Sequence, residues 1–212
     1  MRPLRISTSA EAAEADPALR ASNHEAFNVK KADVGTWTGG SVWESGTYLA
    51  QYLRGLDVDW AQSRVLELGT GTGLVGLTAA QCGAREVWLT DQVLHVARHN
   101  RDANFDGTDR DRVKLHSLRW GDPDAIAAIA EDGFDIILGS DIIYHAAHHE
   151  LLAETIAALS KQGTVVLLCT PDGSPSAGYG SSQPSNHSFY NKMCAHPHIS
   201  HLTSTRGHPY AV

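Results

Sequence analysis

The stretch Val65-Leu66-Glu67-Leu68-Gly69-Thr70-Gly71-Thr72-Gly73 decides the fold. Residues 65–68 read as a short apolar strand. Three glycines at alternate positions follow, and residues 74–82 then read as an apolar helix that Gly83 can cap. A strand, a glycine-rich turn and a helix in that order let a ligand approach the backbone closely and set the helix-end amides beside it. Gly71-Thr72-Gly73-Leu74-Val75-Gly76 also matches GxGxxG, the dinucleotide fingerprint, although that match carries little weight alone.

Working outward, the same alternation recurs. Residues 86–90, 112–116, 134–138 and 164–169 read as strands, and residues 93–104, 123–131 and 148–160 as helices, the second of them opening on Pro123. Ahead of the first strand, Val42, Leu49, Leu53 and Leu56 recur at roughly helical spacing. The strands are continuous apolar runs, which indicates burial on both faces. The expected fold is therefore α/β, a doubly wound Rossmann-like sheet with helices on both sides. Residues 1–40 read as a loose polar arm, residues 41–170 as the ligand-binding core and residues 171–212 as a tail. Within the tail, residues 171–186 hold five Ser, three Pro and three Gly, and residues 187–212 carry five of the twelve histidines.

At 212 residues one domain is expected, with enough chain to bury a full core. The balance of 17 Lys+Arg against 24 Asp+Glu, a formal charge of −7, argues against a dedicated nucleic-acid binder. Cys82, Cys169 and Cys194 are odd in number and form no CxxC pair, so a reducing compartment is expected. The acidic residues Glu11, Glu14 and Asp16 and the lack of an apolar run near Met1 are unlike a secretory signal, and no stretch approaches the ~20 apolar residues of a membrane helix. Cytoplasmic residence follows, with the nucleus as a second site. No metal is expected. His149-Glu150 opens an HExxH, but Ala153 occupies its last position, and His196, His198, His201 and His208 lie in an irregular tail. No GxSxG elbow offers a serine nucleophile.

The strand end Glu67-Leu68-Gly69 followed by Gly71 and Gly73 gives ExGxGxG, the form found in S-adenosylmethionine-dependent methyltransferases. Four more segments carry the resemblance. They are Val42-Trp43-Glu44-Ser45 with Leu49 and Tyr52-Leu53; Leu89-Thr90-Asp91 followed by Asn100 and Asn104; Leu118-Arg119-Trp120-Gly121-Asp122; and Gly139-Ser140-Asp141-Ile142-Ile143-Tyr144. Over residues 40–169 the chain resembles the seven-β-strand methyltransferases, and within them the METTL21-like protein-lysine methyltransferases.

That resemblance implies S-adenosylmethionine as cofactor and a lysine-bearing protein as partner. Neither nucleic acid nor membrane is expected as a partner, and a monomer is expected. The resemblance implies cofactor contacts from Trp43, Glu67, Gly69, Gly71, Gly73, Asp91, Trp120 and Asp141. Glu67 would order the glycine loop and the methionine moiety, Asp91 would accept from the ribose hydroxyls, Trp120 would lie beside the adenine, and Trp43 would close over the methionine end. Asp141 and Tyr144 would be the catalytic pair at the lysine channel. The nucleic-acid amino-methyltransferases carry (D/N/S)PP(Y/F) there, and Ile142 and Ile143 replace both prolines. A small amine or another side chain as acceptor, and a non-catalytic cofactor-binding relative, are the alternatives. The family ends its sheet with an antiparallel hairpin, for which only residues 198–204 and 210–212 offer strands, so an incomplete or divergent ending is expected.

Overall fold

In the computed structural model, residues 3–8, 11, 38–170, 199–203 and 209–210 are described. All of β1 (Arg64–Leu68) is buried, so this strand can only lie at the centre of a sheet covered on both faces. It pairs in parallel with β2 (Glu86–Asp91) on one side and β4 (Phe134–Ser140) on the other. β3 (Val113–Ser117) and β5 (Ser160–Cys169) extend the parallel sheet outward, giving the order β3-β2-β1-β4-β5. Ile199–Thr203 runs parallel along β5, and Pro209–Tyr210 pairs antiparallel to Ile199–Thr203. The remainder of the Ser/Pro/Gly- and His-rich tail lies outside the described residues.

One face of the sheet is covered by α1 (Glu44–Arg54) and α2 (Leu74–Gln81), with Leu49, Leu53, Val75 and Leu77 packed on Val65, Val87 and Leu89; α3 (His95–Asn104) joins them through Ala97. The other face takes α5 (Pro123–Ala127) and α6 (His149–Leu159), with Leu152, Ile156 and Leu159 against Leu66, Leu68, Ile137 and Val166. A short α4 (Gly107–Asp111), to which no sequence pattern pointed, precedes β3.

Three elements differ from their sequence-based expectation. The helix expected over residues 123–131 ends at Ala127; beyond it the Arg64 guanidinium takes the carbonyls of Glu131 and Gly133, where the chain turns with Asp132 and Gly133 at positive φ. β5 begins four residues earlier than the apolar pattern, where Ser160 pairs with Phe134 ahead of a register shift. The arm is not loose where it is described. Leu4 and Ile6 pack against the core.

Where α2 crosses β1 and β2 there is no room for a side chain at Gly76. A Cβ on Gly76 would lie 2.3 Å from Leu89 Cδ2 and 2.7 Å from Glu67 Oε2. Gly76→Ala should cost about 1–3 kcal/mol of stability through overpacking. Urea denaturation measures this, and an unchanged midpoint would refute the packing account.

Candidate functional site

The carboxyl ends of β1, β2 and β4 meet at the glycine loop, the edge where open parallel sheets bind ligands. Gly69, Gly71 and Gly73 all have positive φ, of 62°, 51° and 87°. A Cβ on Gly69 would fall 2.6 Å from Ile142 Cγ2, and one on Gly71 would fall 2.7 Å from the Gly39 carbonyl oxygen. At both positions glycine is therefore required by conformation and by neighbours.

Three side chains hold this loop. Glu67, 2% exposed beneath it, accepts from the Thr70 hydroxyl and, at 2.9 Å, from the Gly76 amide at the start of α2. Burial pushes its carboxyl up to about 7, against the opposing pull of those bonds. Asp91, at the end of β2, accepts from the Gly71 amide at 3.0 Å and from the Val93 amide at 3.3 Å. Burial raises its pKa, and its backbone bonds oppose the rise. Asn100 donates to the Thr72 carbonyl at 2.8 Å.

Asp141 follows β4 with φ 55°, a left-handed conformation uncommon outside glycine and found at functional turns. Its amide donates to the Cys169 carbonyl at 2.8 Å, and its Oδ1 accepts from Ser45 Oγ at 3.0 Å. Burial raises its pKa, the Ser45 bonds oppose this, and Glu44 adds a like charge. Tyr144 is half-buried, with its phenol raised by burial and then by the Asp91 charge, while a Thr38 hydrogen bond opposes both. Trp120 reaches the loop, its Cζ2 3.6 Å from the Cβ position of Gly69. Trp43 is 38% exposed at the start of α1 and donates from Nε1 to the Thr38 carbonyl at 3.1 Å, so it is no part of the core.

The structure thus gathers Glu67, the three glycines, Asp91, Trp120, Asp141 and Tyr144 at one edge, and Thr38 links Trp43 to Tyr144. Several residues there have roles that the sequence did not assign, although Ser45 and Ile142 fall within the quoted segments. Ser45 orients Asp141, Thr38 and Gly39 cross the loop, and Ile142 fills the space beside Gly69. Ring contacts run from Tyr144 through His145 (4.8 Å) and His148 (5.7 Å) to Trp120 (6.3 Å). Among the described residues no His, Cys, Asp or Glu group could hold a metal ion.

The donor set suits S-adenosylmethionine. Asp91 keeps acceptor capacity on both oxygens for a pair of hydroxyls, and Trp120 offers an apolar ring beside the loop. A parallel α/β sheet with this edge is the cofactor-binding architecture of Rossmann-like methyltransferases. The sequence profile of the lysine methyltransferase family matches residues 23–177, and the chain belongs to that family. It is 37% identical to protein N-lysine methyltransferase METTL21A of Danio rerio over 60% of this chain and 58% of that one. It is 30% identical to EEF1A lysine methyltransferase 3 of Mus musculus over 59% of this chain and 53% of that one. The chain thus spans little more than half the length of these relatives. Among solved structures, a SAM-dependent methyltransferase of Agrobacterium tumefaciens shares the fold at 16% identity and a TM-score of 0.51, covering 77% of this chain and 54% of that one.

Proposed function

We propose that this chain is an S-adenosylmethionine-dependent protein-lysine N-methyltransferase. The convergence of Glu67, Asp91, Trp120, Asp141 and Tyr144 on one glycine loop carries the reading, and membership of the lysine methyltransferase family supports it. The cofactor, when bound, supplies a methyl group already activated on a sulfonium. The protein's task is then alignment and amine activation. Asp91 and the glycine loop hold the nucleoside end, with Trp120 against its base. Asp141, held by Ser45, faces the acceptor amine, and the Tyr144 ring flanks it.

The attacking amine must be neutral. A lysine in water has pKa ~10.4, and partial burial lowers this. The excess proton leaves to water, so no residue need serve as base. The acidic chain, with formal charge −7, draws a basic protein surface toward the site. We further read the sheet as the seven-strand type with Ile199–Thr203 and Pro209–Tyr210 as its reduced ending, and the protein as a monomer of the cytoplasm, and of the nucleus as a second site, acting on neither nucleic acid nor membranes.

Methyl-labelled S-adenosylmethionine with cell extract tests the reading. Label should enter one protein band and be recovered as methyl-lysine. Asp141→Ala and Tyr144→Phe should lower kcat, the first by about 10²-fold through loss of alignment, with cofactor affinity little changed for Tyr144→Phe. Label found only in small molecules would exclude a protein acceptor. Cofactor binding without any transfer would make the chain a non-catalytic relative.

A further inference from the structure

Asn100 and Asn104 stand one turn apart on α3, so their carboxamides project from the same face. Each clasps the backbone of one arm residue. Asn104 accepts from the Arg5 amide at 2.7 Å and donates to the Arg5 carbonyl at 2.7 Å. Asn100 accepts from the Ser7 amide at 2.8 Å and donates to the Ser7 carbonyl at 2.9 Å. The spacing matches physically: four helical residues rise ~6 Å, and two extended residues span ~6.6 Å. Alternation within the arm agrees, because Leu4 and Ile6 pack inward while Arg5 is exposed.

Asn100 differs from Asn104 in one respect. Its second amide hydrogen goes to the Thr72 carbonyl, inside the glycine loop. The next amide, that of Gly73, donates to the Thr70 carbonyl at 2.7 Å, so both sides of the Thr72–Gly73 peptide are fixed. Asn100 is fully buried, and its acceptor and both donors are in use. One carboxamide therefore joins the amino-terminal arm to the loop.

We infer that Asn100 is a positioning residue that couples docking of residues 3–8 to cofactor binding. The inference rests on the reading that the glycine loop holds S-adenosylmethionine. If the arm leaves, Asn100 loses the partners that fix its rotamer, and the Thr72 carbonyl loses its anchor. Coupling is reciprocal, so bound cofactor must in turn hold the arm.

The test uses the full chain, isothermal titration of S-adenosylmethionine and hydrogen exchange. Leu4→Asp combined with Ile6→Asp detaches the arm without touching the loop, and should weaken cofactor affinity about tenfold. Asn100→Ala should do the same, and adding it to the arm variant should cost little more, since both break one connection. Asn104→Ala should speed exchange at Arg5 and Ser7 with a smaller loss of affinity. In the parent chain, cofactor should slow exchange at those two amides, a response that a purely structural Asn100 would not produce. Parent affinity in the arm variant, strictly additive losses, or arm exchange indifferent to cofactor would each overturn the coupling alone. A parent chain that binds no S-adenosylmethionine would overturn the cofactor reading and the coupling with it.

Discussion

Asp91→Ala should abolish useful cofactor binding while leaving the chain folded. The carboxylate has two tasks at once. Its oxygens hold the Gly71 and Val93 amides, and they present the remaining acceptor capacity at the sheet edge where two hydroxyls would arrive. A hydrogen bond to a charged group is worth about 1.5–3 kcal/mol, so losing the ligand's pair and loosening Gly71 should weaken affinity by about 10²–10³-fold. Asp91→Asn is the informative comparison. Its carboxamide keeps one acceptor but turns the other position into a donor, which must face either the Gly71 or the Val93 amide. An intermediate loss is expected. Calorimetric titration reads the affinity, and melting of the unliganded chain checks the fold. Affinity within threefold of the parent would reduce Asp91 to a loop strut and remove the ribose contact from the proposal.

Why Asp91 could be picked out from sequence, and Ser45 could not, is a matter of range. Asp91 ends an apolar strand, and any strand-end acid in a parallel sheet lies at the ligand edge whatever the rest of the chain does. The glycine loop was legible for a similar local reason: three glycines at alternate positions make sense only where positive φ or close approach is needed. Ser45 meets Asp141 across 96 residues, and Asn100 meets Ser7 across 93. Such contacts depend on how helices are laid on the sheet, and no short window encodes them. The arm shows the same limit. Leu4 and Ile6 are two isolated apolar residues, too few to register as a strand, yet with two asparagine side chains they fasten the segment to the core. In the sequence Ile142 reads only as the absence of a proline, whereas its contact with the Gly69 position makes it part of the loop's packing. The start of β5 is polar, Ser160-Lys161-Gln162-Gly163, and its strand character comes from pairing with Phe134 rather than from apolar pattern.

Glu67 is the reverse case, a residue whose place was legible and whose energetic consequence was not. Its carboxyl is raised from 4.5 to about 7 by burial, so the folded chain binds this proton more tightly than the unfolded chain does. The sign follows from linkage. Folded stability is undiminished by Glu67 below pH 4.5, falls as the pH rises toward 7, and stays lowered above that. A gap of this size corresponds to about 3 kcal/mol at pH 8. Glutamine cannot ionise, and its Oε1 can still accept from Thr70 and Gly76. Glu67→Gln should therefore melt roughly 6–12 °C higher than the parent near pH 8 and at about the same temperature near pH 4.5. An equal offset at both pH values would show that ionisation is not the cause. Because the loop keeps its anchor, cofactor affinity should fall less than in Asp91→Ala. A buried carboxylate that lowers stability is the kind of residue that functional sites trade against the fold. Glu67→Gln separates the two contributions, because a stabilised chain with weakened methyl transfer would assign the carboxylate to function rather than to the fold.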